Sequence, residues 1–159
     1  MPNIVCTIVE VCVFRLKNGQ PHYLMLKRSN SEKVYPNAWQ VVTGSIENNE
    51  TALQASLREL KEETGFTPEH YWIVPHVNTF YSERSDTIHH TVIFAARVPN
   101  GVEPDLSEEH DEFAWCDLGE SKKKLIWPGQ VRALEVVHEY IVNGKESEMV
   151  SRIESTNRF

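Results

Sequence analysis

The sequence has few cysteines, and their pattern argues against two common classes of small protein. Cys6, Cys12 and Cys116 are the only cysteines among 159 residues, and none of them forms a Cys-x-x-Cys pair. An odd number without that spacing argues against a disulfide framework, and the seven scattered histidines show no zinc-ligand spacing. We therefore expect reduced, buried thiols in a cytoplasmic protein.

The chain also lacks a long apolar run and a surplus of basic residues. No segment approaches the roughly 20 apolar residues of a membrane span, and the start, MPNIVCTIVEVCVF, lacks the basic residues of a signal peptide. The 23 acidic residues outnumber the 16 basic ones, for a net charge of −7, which argues against a binder of polymeric nucleic acid. An enzyme for phosphate compounds can still be acidic, because bound cations reverse the local charge.

What remains is an ordinary globular composition, 40% hydrophobic and 25% charged. We expect a single domain over residues 1–144, which is long enough to bury a core. Residues 145–159 form a polar tail with scattered apolar residues. That tail either frays or docks on the body of the protein or on a second subunit.

Apolar periodicity and turn residues predict a strand-rich domain with two helices. The first two strands flank an Asn18-Gly19 turn, the strongest short signal for a hairpin. Pro75 places its strand at a sheet edge or at a bulge. The predicted strands cover residues 4–16, 22–28, 39–43, 71–81, 87–98 and 113–117. The predicted helices cover residues 51–64 and 130–142.

The first predicted helix sorts its side chains into two opposite faces. Asn48 or Asn49 stands where the N-cap is expected, and Gly65 stands where the helix should end. One face should pack on the core and carries Leu53, Leu57 and Leu60. The opposite face carries Glu59, Glu62 and Glu63.

Three glutamates on one helix face are electrostatically unfavourable. Like charges four residues apart destabilise an isolated helix by about 0.2–0.5 kcal/mol, and anions near a helix C-terminus add a similar cost. One interpretation is a solvated acidic surface, which is common in proteins. The other is a divalent-cation site, because hard oxygen ligands suit Mg²⁺ or Mn²⁺ and the cation removes the repulsion.

The spacing of these residues favours the second interpretation. The stretch reads G-x5-E-x7-R-E-L-x-E-E-x-G-F over residues 44–66, and nine such matches would arise by chance on the order of 10⁻⁷ of the time. It resembles the signature of the Nudix hydrolase family, with every specified position filled. The resemblance implies an α/β fold, an α/β/α sandwich around a mixed sheet, and Mg²⁺-dependent hydrolysis of a diphosphate linked to another group.

The resemblance also implies roles for individual residues in the signature. Glu59, Glu62 and Glu63 would bind metal or help to activate water, with Glu59 and Glu63 as candidates for the catalytic base. Gly44 would let the backbone turn into the metal site, and Glu50 and Arg58 would form a structural ion pair. Many relatives have glycine just before the Glu50 position, where this chain has Asn49. Asparagine tolerates a left-handed backbone, so we expect the loop to be kept.

A second acidic stretch, LSEEHDEFAWCD over residues 106–117, precedes a short predicted strand. By charge alone it is an acidic loop. Nudix enzymes often bring one more glutamate to the metal from such a loop, as ligand or base. Glu109 is then the first choice and Glu112 the second, although the spacing alone does not distinguish them.

We expect residues outside the signature to recognise the substrate. The resemblance implies a phosphate contact from Arg28 or Lys27, and the aromatic candidates to stack on a ring are Tyr35, Trp39, Tyr81 and Trp127. The segments WQVVTGS, EH before FAW, and the helix after Trp127 look like those of dihydroneopterin triphosphate pyrophosphohydrolases and related (deoxy)nucleoside triphosphate pyrophosphohydrolases.

Three alternatives stay open at this point. Within the enzyme class they are hydrolysis of ADP-ribose or of diadenosine polyphosphates. Outside it, a non-catalytic Nudix module would bind a nucleotide or a protein, but it predicts losses among the signature carboxylates, and none is lost. We expect a small-molecule substrate and no membrane partner, and homodimers are common in the family.

Overall fold

The computed structural model describes residues 1–144, 149 and 151–154. Its strands are β1 (Asn3–Lys17), β2 (Gln20–Arg28), β3 (Trp39–Gln40), β4 (Val42–Ser45), β5 (His70–Ser82), β6 (Thr87–Arg97) and β7 (His110–Cys116). Its helices are α1 (Ala52–Thr64), α2 (Leu118–Lys124) and α3 (Pro128–Val136), and α3 continues as a π-helical stretch, Val137–Val142. No helix in the described part of the chain has the length and apolar character needed to cross a membrane.

The strands of the described residues form one mixed sheet. Its central order is β3-β2-β1-β6-β5, with β4 paired to β1 and β7 paired to β2. The β1–β6 pair is parallel and the other pairs are antiparallel. The hairpin between β1 and β2 turns at Asn18 and Gly19, which have φ values of 52° and 76° and so suit a two-residue turn. The predicted hairpin is confirmed.

Alternation along β1 divides the core between the two faces of the sheet. Val9, Val11 and Val13 pack in the apolar cluster that includes Leu60 of α1. Side chains of opposite parity, such as Cys12, pack in the cluster that includes residues of α3. Helices therefore cover both faces, and the predicted α/β/α sandwich around a mixed sheet is confirmed.

The start of α1 differs from the prediction. The N-cap is Thr51, not Asn48 or Asn49: its side chain accepts from the Gln54 N–H, and the Gln54 side chain accepts from the Thr51 N–H. This reciprocal capping box satisfies two donors at the helix start, which an earlier asparagine would not reach. Asn49 instead has a left-handed φ of 66° in the preceding loop. Gly65 ends the helix at a φ of 72°, as predicted.

Three further elements bear on the predictions. β5 is an edge strand of the sheet, and its register shifts between Ile73 and Val77, around Pro75, as predicted. Helix α2 was not predicted, although Asp117 and Glu120 form a capping box at its start. The predicted tail falls partly outside the described residues, at 145–148, 150 and 155–159. Within the described part, the Ile153 N–H donates to the Tyr71 carbonyl at 2.8 Å.

Candidate metal and substrate site

Glu63 is the most deeply buried acid of the predicted metal cluster. Its side chain lies on the covered face of α1, it is 2% exposed, and neither carboxylate oxygen has a hydrogen-bond partner among the described residues. Burial raises the pKa of Glu63 well above its usual value, and the charges of Glu59 and Glu109 raise it further. A backbone contact with Thr43, short of hydrogen-bond geometry, and the charge of Arg28 lower that pKa by less.

Glu59 lies against the backbone of Gly44. A Cβ added to Gly44 would lie 1.9 Å from Glu59 Cδ, so any side chain at that position would displace the carboxylate. Gly44 is held in place because β4 pairs with β1, with Gly44 opposite Val9. Burial raises the pKa of Glu59, and its hydrogen bond from Arg58 lowers it. The position therefore needs glycine for close approach, not for an unusual φ.

Arg58 ties the loop before α1 to the helix. Its Nε and Nη2 donate to the two oxygens of Glu50 at 2.9 and 3.0 Å, and Nη2 also donates to the Ser45 carbonyl at 2.8 Å. Glu50 in turn accepts from the Glu47 N–H at 3.0 Å. These bonds lower the pKa of Glu50, the Arg58 bond most. Glu50 and Arg58 thus form a bidentate ion pair in which both carboxylate oxygens of Glu50 accept hydrogen bonds.

Arg58 also holds the outer glutamates of the cluster. Its Nη1 donates to Glu59 at 2.8 Å and to Glu62 at 3.2 Å. Among the described residues, no three acidic, histidine or cysteine side chains converge as a formed metal centre. The residues present still fit a divalent cation: Glu63 presents two unpartnered oxygens, Glu59 lies beside it, and all the donors are hard oxygens.

The structure separates Glu109 from Glu112. Glu109 lies in the turn before β7, where its carbonyl accepts from the Ser29 N–H at 2.7 Å, and its charge raises the pKa of both Glu59 and Glu63. Glu112 lies opposite Lys27 in the β2–β7 pair, and the two form an ion pair at 2.6 Å. Glu109 is therefore near the cluster, whereas Glu112 is engaged elsewhere with a side chain that is 56% exposed.

A cleft of about 810 Å³ reaches the two residues of β4 that flank Gly44. Its wall includes three aromatic side chains, Tyr35, Phe80 and Trp127, and the basic side chain of Arg28. Arg28 is anchored by bonds from Nε to the Val34 carbonyl at 2.9 Å and from Nη2 to Glu32 at 3.0 Å. The remaining lining residues are Ile8, Glu10, Val34, Gln40, Thr43, Ser45, Asn78, Thr79, Pro128, Gly129 and Gln130.

The other predicted substrate residues lie outside the cleft lining. Lys27 pairs with Glu112. Trp39 is partly buried against the core, with the Lys124 ammonium 4.2 Å from its ring centroid. Tyr81 is exposed, and its hydroxyl donates to Asp86 at 3.1 Å. Strand alternation explains the outcome, because Arg28 and Gln40 line the cleft while their neighbours Lys27 and Trp39 point away.

Sequence reasoning missed two glutamines and one histidine near the cleft. Gln130 Nε2 donates to Glu10 at 3.2 Å and to Thr43 at 3.3 Å, and its Oε1 accepts from the Val41 N–H. Gln40 donates from Nε2 to Nε2 of the buried His110 at 2.9 Å. The one signal in the sequence was Glu10, a charged residue that interrupts the apolar run of β1.

His110 is buried as a neutral ring. Burial lowers its pKa to about 4, and the charge of Arg28 lowers it further while that of Asp111 opposes the shift. Its Nε2 accepts from Gln40, so the proton of the neutral ring is on Nδ1, which has no partner within the described ranges. The ring thereby ties the start of β7, next to Glu109, to Gln40 on β3.

Comparisons with known proteins bear on the family and the fold of this chain. A family model described as NUDIX domain matches residues 7–137. The asymmetrical bis(5'-nucleosyl)-tetraphosphatase of Caenorhabditis elegans is 28% identical over 122 residues, 76% of this chain and 85% of that protein. The dihydroneopterin triphosphate diphosphatase of Escherichia coli K12 is 55% identical over 55 residues, 35% of this chain and 34% of that protein. The solved structure of the E. coli dihydroneopterin triphosphate pyrophosphohydrolase shares the fold, with a TM-score of 0.69 at 23% identity over 87% of this chain and 99% of that one.

Proposed function

This chain belongs to the Nudix family, hydrolases of phosphoric anhydrides, and we propose that it cleaves a nucleoside triphosphate-like substrate to a monophosphate and pyrophosphate. The substrate class we propose is dihydroneopterin triphosphate or a deoxynucleoside triphosphate. The relative named for dihydroneopterin triphosphate supports this choice, since it is 55% identical where the two chains match. The cleft with aromatic walls and a basic residue offers room for a ring and for phosphate.

The observation that carries the proposal is that Glu63 is buried and that neither of its carboxylate oxygens has a partner among the described residues. A buried carboxylate without partners costs about 1–3 kcal/mol or more, and natural proteins seldom keep such a group without a use for it. Its neighbours Glu59 and Glu109 raise its pKa further. A divalent cation would remove this cost, which is why the cluster fits a metal-dependent hydrolase better than a solvated acidic surface.

We assign Mg²⁺, for which Mn²⁺ can substitute, to Glu59, Glu62, Glu63 and Glu109, with the Gly44 backbone beside them. When bound, the cation supplies neutralisation of the charge on the phosphoryl oxygens. The chain's own residues do the rest: Arg28 contacts phosphate, and Arg58 holds the carboxylates in place. One of Glu59, Glu63 and Glu109 accepts the proton of the attacking water. Burial raises the pKa of Glu59 and of Glu63, which suits either of these two to act as the base.

The first test is metal-dependent release of pyrophosphate from a triphosphate. We expect activity with Mg²⁺, no activity in EDTA, and a large loss in both Glu62→Gln and Glu63→Gln. Glu139→Gln is the matched control, because Glu139 is an exposed glutamate on the last helical stretch. Activity that both cluster variants retain would contradict the assignment of these carboxylates.

The second test compares substrates side by side. The panel contains dihydroneopterin triphosphate, the deoxynucleoside triphosphates, ADP-ribose and diadenosine tetraphosphate. The C. elegans tetraphosphatase, similar over 76% of this chain, makes the diadenosine compound the second candidate. Faster turnover of ADP-ribose or of the tetraphosphate than of any triphosphate would replace our substrate class, and binding without turnover of any compound would favour a non-catalytic module.

A further inference from the structure

The cleft contains a second buried carboxyl group, which the proposed hydrolysis does not use. Glu10 lies on β1 opposite Thr43 and is 5% exposed. Its Oε1 accepts from Gln130 Nε2 at 3.2 Å, while its Oε2 has no partner within the part of the chain that the structure describes. Burial raises the pKa of Glu10 to about 7 in spite of the bond from Gln130.

The position of Glu10 is determined by its neighbours on the strand. Val9 and Val11 point to the core beneath α1 and are fully buried. Glu10 points to the other face of the sheet, where it meets the first turn of α3 and lines the cleft. An apolar side chain would satisfy the core at this point, so the carboxyl introduces a cost that packing does not require.

The hydrogen bonds of Gln130 define which atom of Glu10 is free. Gln130 Oε1 accepts from the Val41 N–H at 3.3 Å, so its Nε2 is the end that faces Glu10. Glu10 Oε1 is thereby engaged, and Oε2 is the buried oxygen without a partner among the described residues, on a residue that lines the cleft. Oε2 is already buried without a partner, so a ligand in this cleft that donates to it would satisfy an atom that the described residues leave unsatisfied.

The rest of the cleft suits a flat ring that carries a donor. Tyr35, Phe80 and Trp127 offer aromatic faces or edges, and Arg28 offers positive charge for phosphate. A heteroaromatic ring packed on these side chains can reach Glu10 only with its edge. The edge group that complements an acceptor oxygen is an N–H donor, and an exocyclic amino group is the donor that distinguishes one base from another.

We propose that Glu10 is a specificity-determining residue whose Oε2 accepts a hydrogen bond from an exocyclic amino group on the substrate's ring. The inference rests on the proposed function, because it assumes that the cleft holds the ring of a nucleotide-like substrate. It adds a requirement that the hydrolytic residues do not impose: rings without an amino group are poor ligands.

Binding of nucleoside monophosphates tests this without hydrolysis. Isothermal titration calorimetry in EDTA would compare dGMP and dAMP with dIMP, and dCMP with dUMP, since dGMP differs from dIMP only by an amino group. We expect the wild type to bind at least one amino-bearing nucleotide roughly 10- to 100-fold more tightly than its partner without the amino group. Equal affinities within every pair would overturn the inference with the wild type alone.

Glu10→Gln turns the acceptor at the Oε2 position into a donor and leaves the shape of the side chain almost unchanged. With Gln130 still donating to Oε1, the new amide nitrogen replaces Oε2 and presents a donor where the wild type presents an acceptor. We expect the preference for the amino-bearing base to fall to near parity, and Glu139→Gln to keep the wild-type preference. A preference that survives in a folded Glu10→Gln protein would also overturn the inference.

Hydrolysis of the matching triphosphates separates this inference from the proposed function. If the binding preference depends on Glu10 but no triphosphate is cleaved, the proposed function fails and the role of Glu10 stands. If dGTP and dITP are cleaved equally well by wild type and Glu10→Gln, the hydrolase assignment stands and the role of Glu10 fails.

Discussion

Two corners of the site differ in whether their carboxylate oxygens have hydrogen-bond partners among the described residues. At the loop before α1, Glu50 is held by two bonds from Arg58 and one from the Glu47 N–H. In the interior, Glu63 and Glu10 are more deeply buried, yet three of their four carboxylate oxygens lack a partner among the described residues. The partnered corner holds the loop in shape, and the unpartnered oxygens are those available to a cation or a substrate.

Glu63→Gln tests this difference most strongly. We expect kcat to fall about 10²- to 10⁴-fold, whereas the metal-free protein should become more stable at pH 8. Burial raises the pKa of Glu63 in the folded state, so the stability associated with this group is complete below the usual glutamate pKa and is lost as the pH rises. Melting curves in EDTA at pH 8 and pH 5 should show the larger gain at pH 8; a lower melting temperature at pH 8 would contradict it.

Gly44→Ala tests whether the position of Glu59 depends on the missing side chain. The new Cβ would lie 1.9 Å from Glu59 Cδ, so the carboxylate must move while the flexible side chain absorbs the clash. We expect kcat/KM to fall about 100-fold with little change in melting temperature, because a displacement of about 1 Å has that effect on catalysis. The control is Gly101→Ala, where nothing lies within 4 Å of the added Cβ but φ is 91°; it should keep its activity.

Glu50→Gln probes the partnered corner. The amide keeps one acceptor for Arg58 but removes the negative charge that pairs with the guanidinium, whose bond lowers the pKa of Glu50. We expect a roughly tenfold loss of activity, smaller than for the interior glutamates, because the effect reaches the cluster only through Arg58. Kinetics with saturating Mg²⁺ would check this, and a loss as large as that of Glu63→Gln would remove the distinction between the two corners.

The last effect is on stability and not on activity, and it concerns the neutral ring of His110. Its pKa is lowered from 6.5 to about 4, so the unfolded chain binds a proton more readily between these values. The stability from this group is complete above about pH 6.5 and is lost as the pH falls toward 4, at most about 3 kcal/mol. Urea unfolding at pH 5 and pH 7 should show a smaller pH difference for His110→Gln than for the wild type.

The cluster on α1 was predictable because its geometry is local. Residues 59, 62 and 63 share a helix face through the helical repeat alone, whatever the rest of the chain does. The hairpin at Asn18-Gly19 was predictable for the same reason, since the turn selects its own backbone. The N-cap of α1 was harder to predict and is Thr51, because several polar residues near a helix start can serve as its cap.

The cleft as a whole was not predictable because elements far apart in sequence build it. Arg28, Gln40, Asn78 and Gln130 come together only through strand pairing and helix packing. The same pairing engages Lys27 with Glu112 and leaves Glu109 near the cluster. A shift of one residue along β2 or β3 would exchange the side chains that line the cleft with their neighbours on that strand, because neighbouring side chains point to opposite faces.

The sequence by itself determined the local arrangement of chemical groups: a helix whose repeat gathers acids on one face, a glycine before it and a charged pair across it. Only the tertiary structure decided which acids remain unpartnered and which side chains line the cleft. The physical reason is that residue spacing controls side-chain direction within one helix or strand. Burial and hydrogen-bond pairing depend on which elements meet, and that is a property of the whole fold.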